Sequence, residues 1–470
     1  MTTTDAAATA TLAAFAAGLR WEQLPRVVVE RANALVADAL ANAIAAQPLD
    51  STASLIAGLR VAGVASGDAR VAGSDGAWSP YAAAMITGAA IHSLDFDDTH
   101  ASAMIHPGAP IIAAALAAAQ ITGAATRELV TGIVAGYEVM TRVSRALQPQ
   151  DHADRGFHLS ATTGIFGAAA AAGRILGLDA RELEHAFGTA LSRAAGSGQF
   201  LENGAWTKRF HIGAAAADGL MAAVLAREGF TGAARAIEGP RGFLRLYASE
   251  PRVERATAGL GSDWEILRTA IKPYPCCRAI HAPLDALFAL TARAGTPAVD
   301  EIASVRVGMP RACRDITGIP AERKRDPQNV VDCQFSAHLC IAAGFVNGRV
   351  AFDDYPSALA DPTVRALMQR IEVEVDPEAD AEYPETFPGR ITIRLHDGSE
   401  QTEYVRVPQG EPDNMLTADQ FRVKFLGLTV GVIGGTAAQE LHDAAIRLAD
   451  DLPTSMLLSL AVPARLAEAV

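Results

Sequence analysis

Alanine constrains this chain more than any other feature: runs such as Ala113 to Ala119 and Ala168 to Ala172 recur through its first half. Alanine loses no side-chain entropy in a helix and lets neighbouring helices approach closely. A large, tightly packed helical region is therefore expected. The segments 28–46, 127–147 and 214–229 place small or apolar residues at three- and four-residue steps, the spacing of a buried helix face. Gly73-Ser74-Asp75-Gly76 and Gly239-Pro240-Arg241-Gly242 punctuate the pattern. Either Thr4 or Asp5 is read as the N-cap of a first helix.

The texture changes after Trp264. Period-two alternation appears in 301–309, 370–376, 390–397 and 402–408, which predicts strands. His396-Asp397-Gly398-Ser399 places Asp-Gly between two of them, a hairpin signal. Proline and acidic residues crowd Asp376 to Pro388, read as an exposed loop. Thr417 and Gln420 form a capping box that restarts helix. The predicted architecture is mainly α with an α+β part. A helical domain over residues 1–265 is completed by C-terminal helices over 411–470, and a smaller α+β lid spans 266–410.

A formal net charge of −13 argues against a general nucleic-acid or anionic-membrane binder, which needs clustered Lys and Arg. An anionic small molecule remains admissible, because one pocket can be locally positive. The uncharged stretch from Pro107 to Thr126 contains Pro, Gln, Thr and Gly and reads as a buried helix rather than a membrane span. The N-terminus has no basic start, and Asp5 stands where a signal peptide would carry one. Cys276, Cys277, Cys313, Cys333 and Cys340 are odd in number and include an adjacent pair, so they form no disulfide framework. A reducing cytoplasm is expected.

Chemistry-bearing residues gather in four places. Ser93-Leu-Asp-Phe-Asp-Asp-Thr-His100 with His106 crowds carboxylates, hydroxyls and imidazoles. It reads as solvated acids at a helix end, as a general base with its supports, or as a weaker metal site of Asp95, Asp97, Asp98 and His106. His158 and Ser160 precede an Ala-rich helix, which either Ser160 or Thr162 would cap, and the helix start would suit a carboxylate. Lys208, Arg209 and His211 enter another such helix, where cations would clamp carboxylates. Lys272-Pro-Tyr-Pro-Cys-Cys-Arg278-Ala-Ile-His281 lies at the domain junction, stiffened by prolines, with its thiols read as buried and inert. Glycine spacing matches neither a P-loop nor a dinucleotide turn. The set suits proton transfer on an anionic substrate without a redox cofactor.

The ordered motifs Leu94-Asp-Phe-Asp-Asp-Thr-His100 with His106-Pro107, Gly156-Phe-His158, Gly204-Ala-Trp-Thr-Lys-Arg-Phe-His211 and Lys272 to His281 resemble the MmgE/PrpD family over residues 30–290. That family includes 2-methylcitrate dehydratase, cis-aconitate decarboxylase and iminodisuccinate epimerase. The resemblance implies a helical domain with an α+β lid, a homodimer, no cofactor and a small polycarboxylate substrate. Carried over by motif, it implies a pocket of Asp95, Thr99, His106, His158, Lys208 and His281. Lys272, Arg278 and Ser160 are read as further substrate-binding groups. The base is His158 or Asp95, with His281 as acid. The stretch between Thr99 and His106, His-Ala-Ser-Ala-Met-Ile, departs from the decarboxylase branch and leaves the substrate open. A lyase is the first reading. An epimerase, a non-catalytic binding relative and a metal-dependent hydrolase are the alternatives.

Overall fold

A computed structural model describes residues 7–463. The proposed cap at Thr4 or Asp5 lies outside them. The protein is mainly helical with a smaller mixed α+β part. Helices Arg26–Ala45, Pro80–Ile91, Gly108–Thr122, Thr126–Ala146, Gly164–Leu176 and Thr207–Arg227 share one apolar core. Small residues make this packing close. A Cβ on Gly213 would collide with the backbone oxygen of Met85, so glycine there lets Thr207–Arg227 lie directly on Pro80–Ile91. That contact brings the start of one helix beside the loop that follows the other.

Gly108–Thr122 is almost wholly buried in this core, as the uncharged stretch predicts. The apolar run 159–176 is long enough to cross a membrane by composition, yet 94% of it is buried inside the protein. Residues 229–268 depart from the helical expectation. They form turns, short 3-10 segments and one five-residue α-helix, Phe243–Tyr247, because Gly229, Gly232, Gly239, Gly242, Gly259 and Gly261 keep helical runs short.

A second apolar cluster runs from Cys276 to Ile393. It includes a four-stranded sheet ordered Ile371–Val375, Ile302–Met309, Gly389–Leu395, Glu400–Val405. The first pair is parallel and the other two are antiparallel. Helix His281–Ala294 packs on the strands of the hairpin. Gly398 supplies the positive φ of the Asp397-Gly398 turn. The loop expected between Asp376 and Pro388 is a correction: Pro377–Glu382 is helical. The Asp376 carboxylate accepts from the N–H groups of Glu378 and Ala379, and Pro377 sits at the first helical position, a start signal that the acidic composition obscured.

The chain then returns. Thr417 and Gln420 form the predicted capping box on Ala418–Ile433, and Phe421, Phe425 and Ile433 join the first core. These C-terminal helices pack on Arg26–Ala45.

Candidate active site

The helix Pro80–Ile91 tightens into a 3-10 turn at His92–Leu94 and stops at Asp95. Asp95 has φ 52°, a left-handed conformation that aspartate tolerates better than most residues and that a continuing helix cannot use. Four residues later in the same loop a short ladder forms, Thr99–His100 against Thr269–Ala270, with Thr99 opposite Ala270. This ladder carries Lys272 to the Asp95 loop from 177 residues away. Close packing of Thr207–Arg227 brings Lys208 from the other side.

Both lysines converge on one carboxylate. The Lys208 ammonium donates to Asp95 Oδ1. The Lys272 ammonium donates to Asp95 Oδ2 at 3.1 Å, to the Asp95 carbonyl at 2.7 Å and to the Cys276 carbonyl at 3.0 Å. Burial alone would push the Asp95 carboxyl up, but the ammonium groups of Lys208 and Lys272 hold it well below the usual carboxylate range. Burial likewise works against the Lys272 charge, and the Asp95 carboxylate overrides it and raises the ammonium. Two ammonium groups thus meet on one carboxylate, with Lys208 also 5.3 Å from the Phe335 ring centroid.

Asp97 organises the imidazoles. His92 Nδ1 lies 2.7 Å from Asp97 Oδ2. His106 Nδ1 lies 3.2 Å from Asp97 Oδ1, close enough for charge attraction but too poorly aligned to count as a full hydrogen bond. Burial would raise the Asp97 carboxyl, and the two imidazoles bring it well below the usual range instead. Burial lowers His92 to about 3 and also lowers His106. It takes His158 and His281 well below the usual imidazole range. These rings are neutral near pH 7, and an ionised Asp97 directs the protons of His92 and His106 to Nδ1, leaving each Nε2 as acceptor. The charge of Lys208 bears on His92, His106 and His158, and that of Lys272 on His106 and His281, so these groups share one centre.

The four residues read as a metal site do not converge. Asp95 turns to the lysines, while Asp98 accepts from Tyr137 and from the Gly108 N–H at the start of Gly108–Thr122. Ligand-type atoms of His92, Asp97 and His106 do lie within 4.8 Å of one another. Their facing Nδ1 and carboxylate atoms already attract each other, the pattern of a hydrogen-bonded network.

Other predicted residues are placed differently. The Thr99 hydroxyl is buried without a hydrogen-bond partner, in the ladder that leads to Lys272. Neither Ser160 nor Thr162 caps a helix, which corrects the sequence reading. Both lie inside the four-residue helix Leu159–Thr162, too short for an effective dipole, with His158 at its N-cap position. The Ser160 hydroxyl accepts from the His106 N–H at 2.9 Å and so fixes that backbone. Thr162 meets His152 Nε2 at 2.9 Å. Arg209 leaves the centre and donates to Ser51 at 2.6 Å. Arg278 pairs with Glu411 through Nε at 2.7 Å and lies 4.2 Å from the Phe387 ring centroid, so its charge is already met. His281 Nε2 faces the Cys276 carbonyl at 3.2 Å. Cys276 is fully buried, and burial pushes its thiol well above the usual range, as expected of an inert thiol.

Three contributors were not among the predicted site residues. His92 stands one residue before the motif as drawn, and its spacing to Asp97 was the available signal. Gln334 donates to the Leu94 carbonyl from the α+β part and receives the Cys277 N–H at 2.9 Å, with no local pattern to announce it. Lys424 pairs with Asp38 at 2.5 Å and donates to the Phe96 carbonyl at 2.9 Å, bracing the loop from behind.

Comparison with known proteins adds a second line of evidence. The MmgE/PrpD N-terminal domain family matches residues 10–256, and its C-terminal domain family matches residues 274–450. A cis-aconitate decarboxylase of Aspergillus terreus is 28% identical over 476 residues, covering 96% of each chain. A cis-aconitate decarboxylase-like protein of Aspergillus oryzae is 28% identical over 98% of this chain and 99% of its own. The cis-aconitate decarboxylase of Mus musculus is 28% identical over 74% of this chain and 71% of its own.

Proposed function

From the premise that the chain belongs to the MmgE/PrpD family, we propose that it is a cofactor-independent lyase that decarboxylates a small di- or tricarboxylic acid. The observation that carries this reading is the Asp95 carboxylate held between Lys208 and Lys272, ringed by neutral imidazoles. Two buried ammonium groups brought together on one side chain offer partners to a polycarboxylate. Fixed ammonium groups also stabilise the negative charge that develops next to a carboxylate as a bond to carbon breaks, without needing to reorganise.

Asp95 is a poor base in this setting, because protonating it would abandon two ion pairs. Its role is to aim both ammonium groups. His158 and His106 are the proton-transfer groups, His106 with Nδ1 turned to Asp97 and Nε2 left as acceptor. Thr99 supplies a hydroxyl to a substrate carboxylate. His281 completes the acid–base set from the junction. Decarboxylation is chosen over dehydration because relatives of matching length carry that name. The reading includes a homodimer in the cytoplasm. Exposed Trp206 and Phe230 are consistent with an apolar interface, and sedimentation velocity checks it.

Proton NMR in D2O on chelator-treated protein tests the reaction, with cis-aconitate, citrate, 2-methylcitrate and iminodisuccinate as the panel. Loss of carbon dioxide with one deuterium entering the product supports the proposal. Water elimination or deuterium exchange without carbon loss would replace it by a dehydratase or an epimerase. Binding without any spectral change would make the protein a ligand-binding relative, and activity lost to the chelator would reopen a metal-dependent reaction.

A further inference from the structure

A line of imidazoles leads out of the lysine centre. The ring centroids of His106 and His92 lie 4.7 Å apart, those of His92 and His158 5.8 Å, and those of His158 and His211 5.6 Å. His106 and His92 meet edge to face at 74°, His92 and His158 stack at 25° and His158 and His211 tilt at 50°, so a proton passes between them as the rings turn their edges together. His211 is half-buried and lines an open surface cleft with Phe157, Arg193, Asp218 and Tyr247. The inner rings sit beside Lys208 and Asp97. Phe200 packs against His158 and His211, with centroids at 5.5 and 6.4 Å, and screens that step on one side.

Three of the rings leave a nitrogen buried and without a hydrogen-bond partner: Nδ1 of His158 and His211, and Nε2 of His92. A buried polar atom left unpaired costs about 1–3 kcal/mol, so a run of such atoms calls for a reason. Burial lowers all these imidazoles, and a neutral imidazole takes a proton on one nitrogen while releasing one from the other. Decarboxylation needs that service. When the carbon–carboxylate bond breaks, carbon dioxide leaves and the electron pair stays on carbon. Carbon then takes one proton, which each turnover must draw from solvent.

We propose that His211 is the outer end of a proton relay that runs from the surface cleft through His158 to the reacting carbon, with His92 connecting the relay to His106. His158 gives its ring proton to the carbanion. His211 passes a proton to His158 and recovers one from a buffer acid or hydronium in the cleft. The sum is one carboxylate and one proton converted to one C–H bond and carbon dioxide. His211 thus acts through His158 without touching substrate. The inference rests on the lyase reading above.

In weakly buffered solution, His211→Ala lowers kcat about tenfold or more and leaves KM nearly unchanged. Added imidazole restores the rate in the variant and leaves the unsubstituted protein unaffected. An unchanged kcat in the folded variant, or a loss that no buffer repairs, overturns the relay. A second measurement needs no substrate. In resting protein with nitrogen-15-labelled histidine, exchange of the His158 ring N–H with D2O slows about tenfold in His211→Phe. An unchanged exchange rate overturns the relay whatever the substrate is. Turnover by the unsubstituted protein without proton uptake sinks the decarboxylase reading instead, so the two failures are distinguishable.

Discussion

Two buried lysine–carboxylate centres lie on either side of one loop, and they behave in opposite ways. At Asp95 two ammonium groups outweigh burial, and the carboxyl sits well below its usual range while Lys272 is raised. At Asp38 a single partner, Lys424, does not outweigh burial. That carboxyl is raised, and burial lowers the Lys424 ammonium despite Asp38 beside it. The second centre is balanced, one charge of each sign, and its lysine also holds the Phe96 carbonyl and lies 3.9 Å from the Phe96 ring centroid. It is a brace. The first centre gathers two ammonium groups on one carboxylate among neutral imidazoles, and such a pair is a place for an anion. The number of ammonium groups on the carboxylate thus separates a site from a strut made of the same residue types.

The largest effect expected from breaking this comparison is on stability. Lys424→Met leaves Asp38 buried and unpaired and costs about 3–5 kcal/mol in chemical denaturation. Adding Asp38→Asn returns much of that loss, because the stranded charge goes with its partner. A stable Lys424→Met protein without turnover would instead make the second centre catalytic. Next comes Lys208→Ala, which lowers turnover at least about a hundredfold, or about 2.7 kcal/mol of barrier. Near-normal turnover in a folded Lys208→Ala protein would remove the lysine centre from the reaction. Asp97→Asn frees the His106 ring and lowers kcat roughly a hundredfold with the fold intact by circular dichroism.

A smaller effect tests the carboxylate behind the loop. Burial, helped by the Asp97 charge, raises the Asp98 carboxyl to about 8. A carboxyl whose folded value lies above its unfolded one binds its proton more tightly when folded. Its contribution is complete below the ordinary aspartate range and is lost as pH rises through about 8. Denaturation midpoints at pH 6 and 9 should therefore differ in the native protein and converge in Asp98→Asn. The smallest change belongs to the exposed Arg26–Glu30 pair, where Glu30→Gln shifts stability by less than about 0.5 kcal/mol.

Much of the fold was legible because its signals are local. Helical periodicity around alanine, the Thr417–Gln420 box and the Asp397-Gly398 turn each depend on neighbours within a few residues. The helix Pro377–Glu382 was legible too, through Asp376 and Pro377, but acidic composition drew attention to a loop. Site residues were legible as residue types in motifs, and their pairings were not. Ser160 and Arg278 illustrate this. Each stands in a motif, yet one buttresses the His106 backbone and the other is neutralised by Glu411.

By itself, then, the sequence determined a close-packed helical body, an α+β part between helical segments, and a set of lysines, imidazoles and carboxylates fit for proton transfer. Tertiary structure alone decided which charges meet. Lys208 and Lys272 reach Asp95 across 113 and 177 residues of chain, by way of glycine-mediated helix contact and a two-residue ladder. Ionisation follows from burial and from the sign and number of the nearest charges, and both are properties of packing in three dimensions.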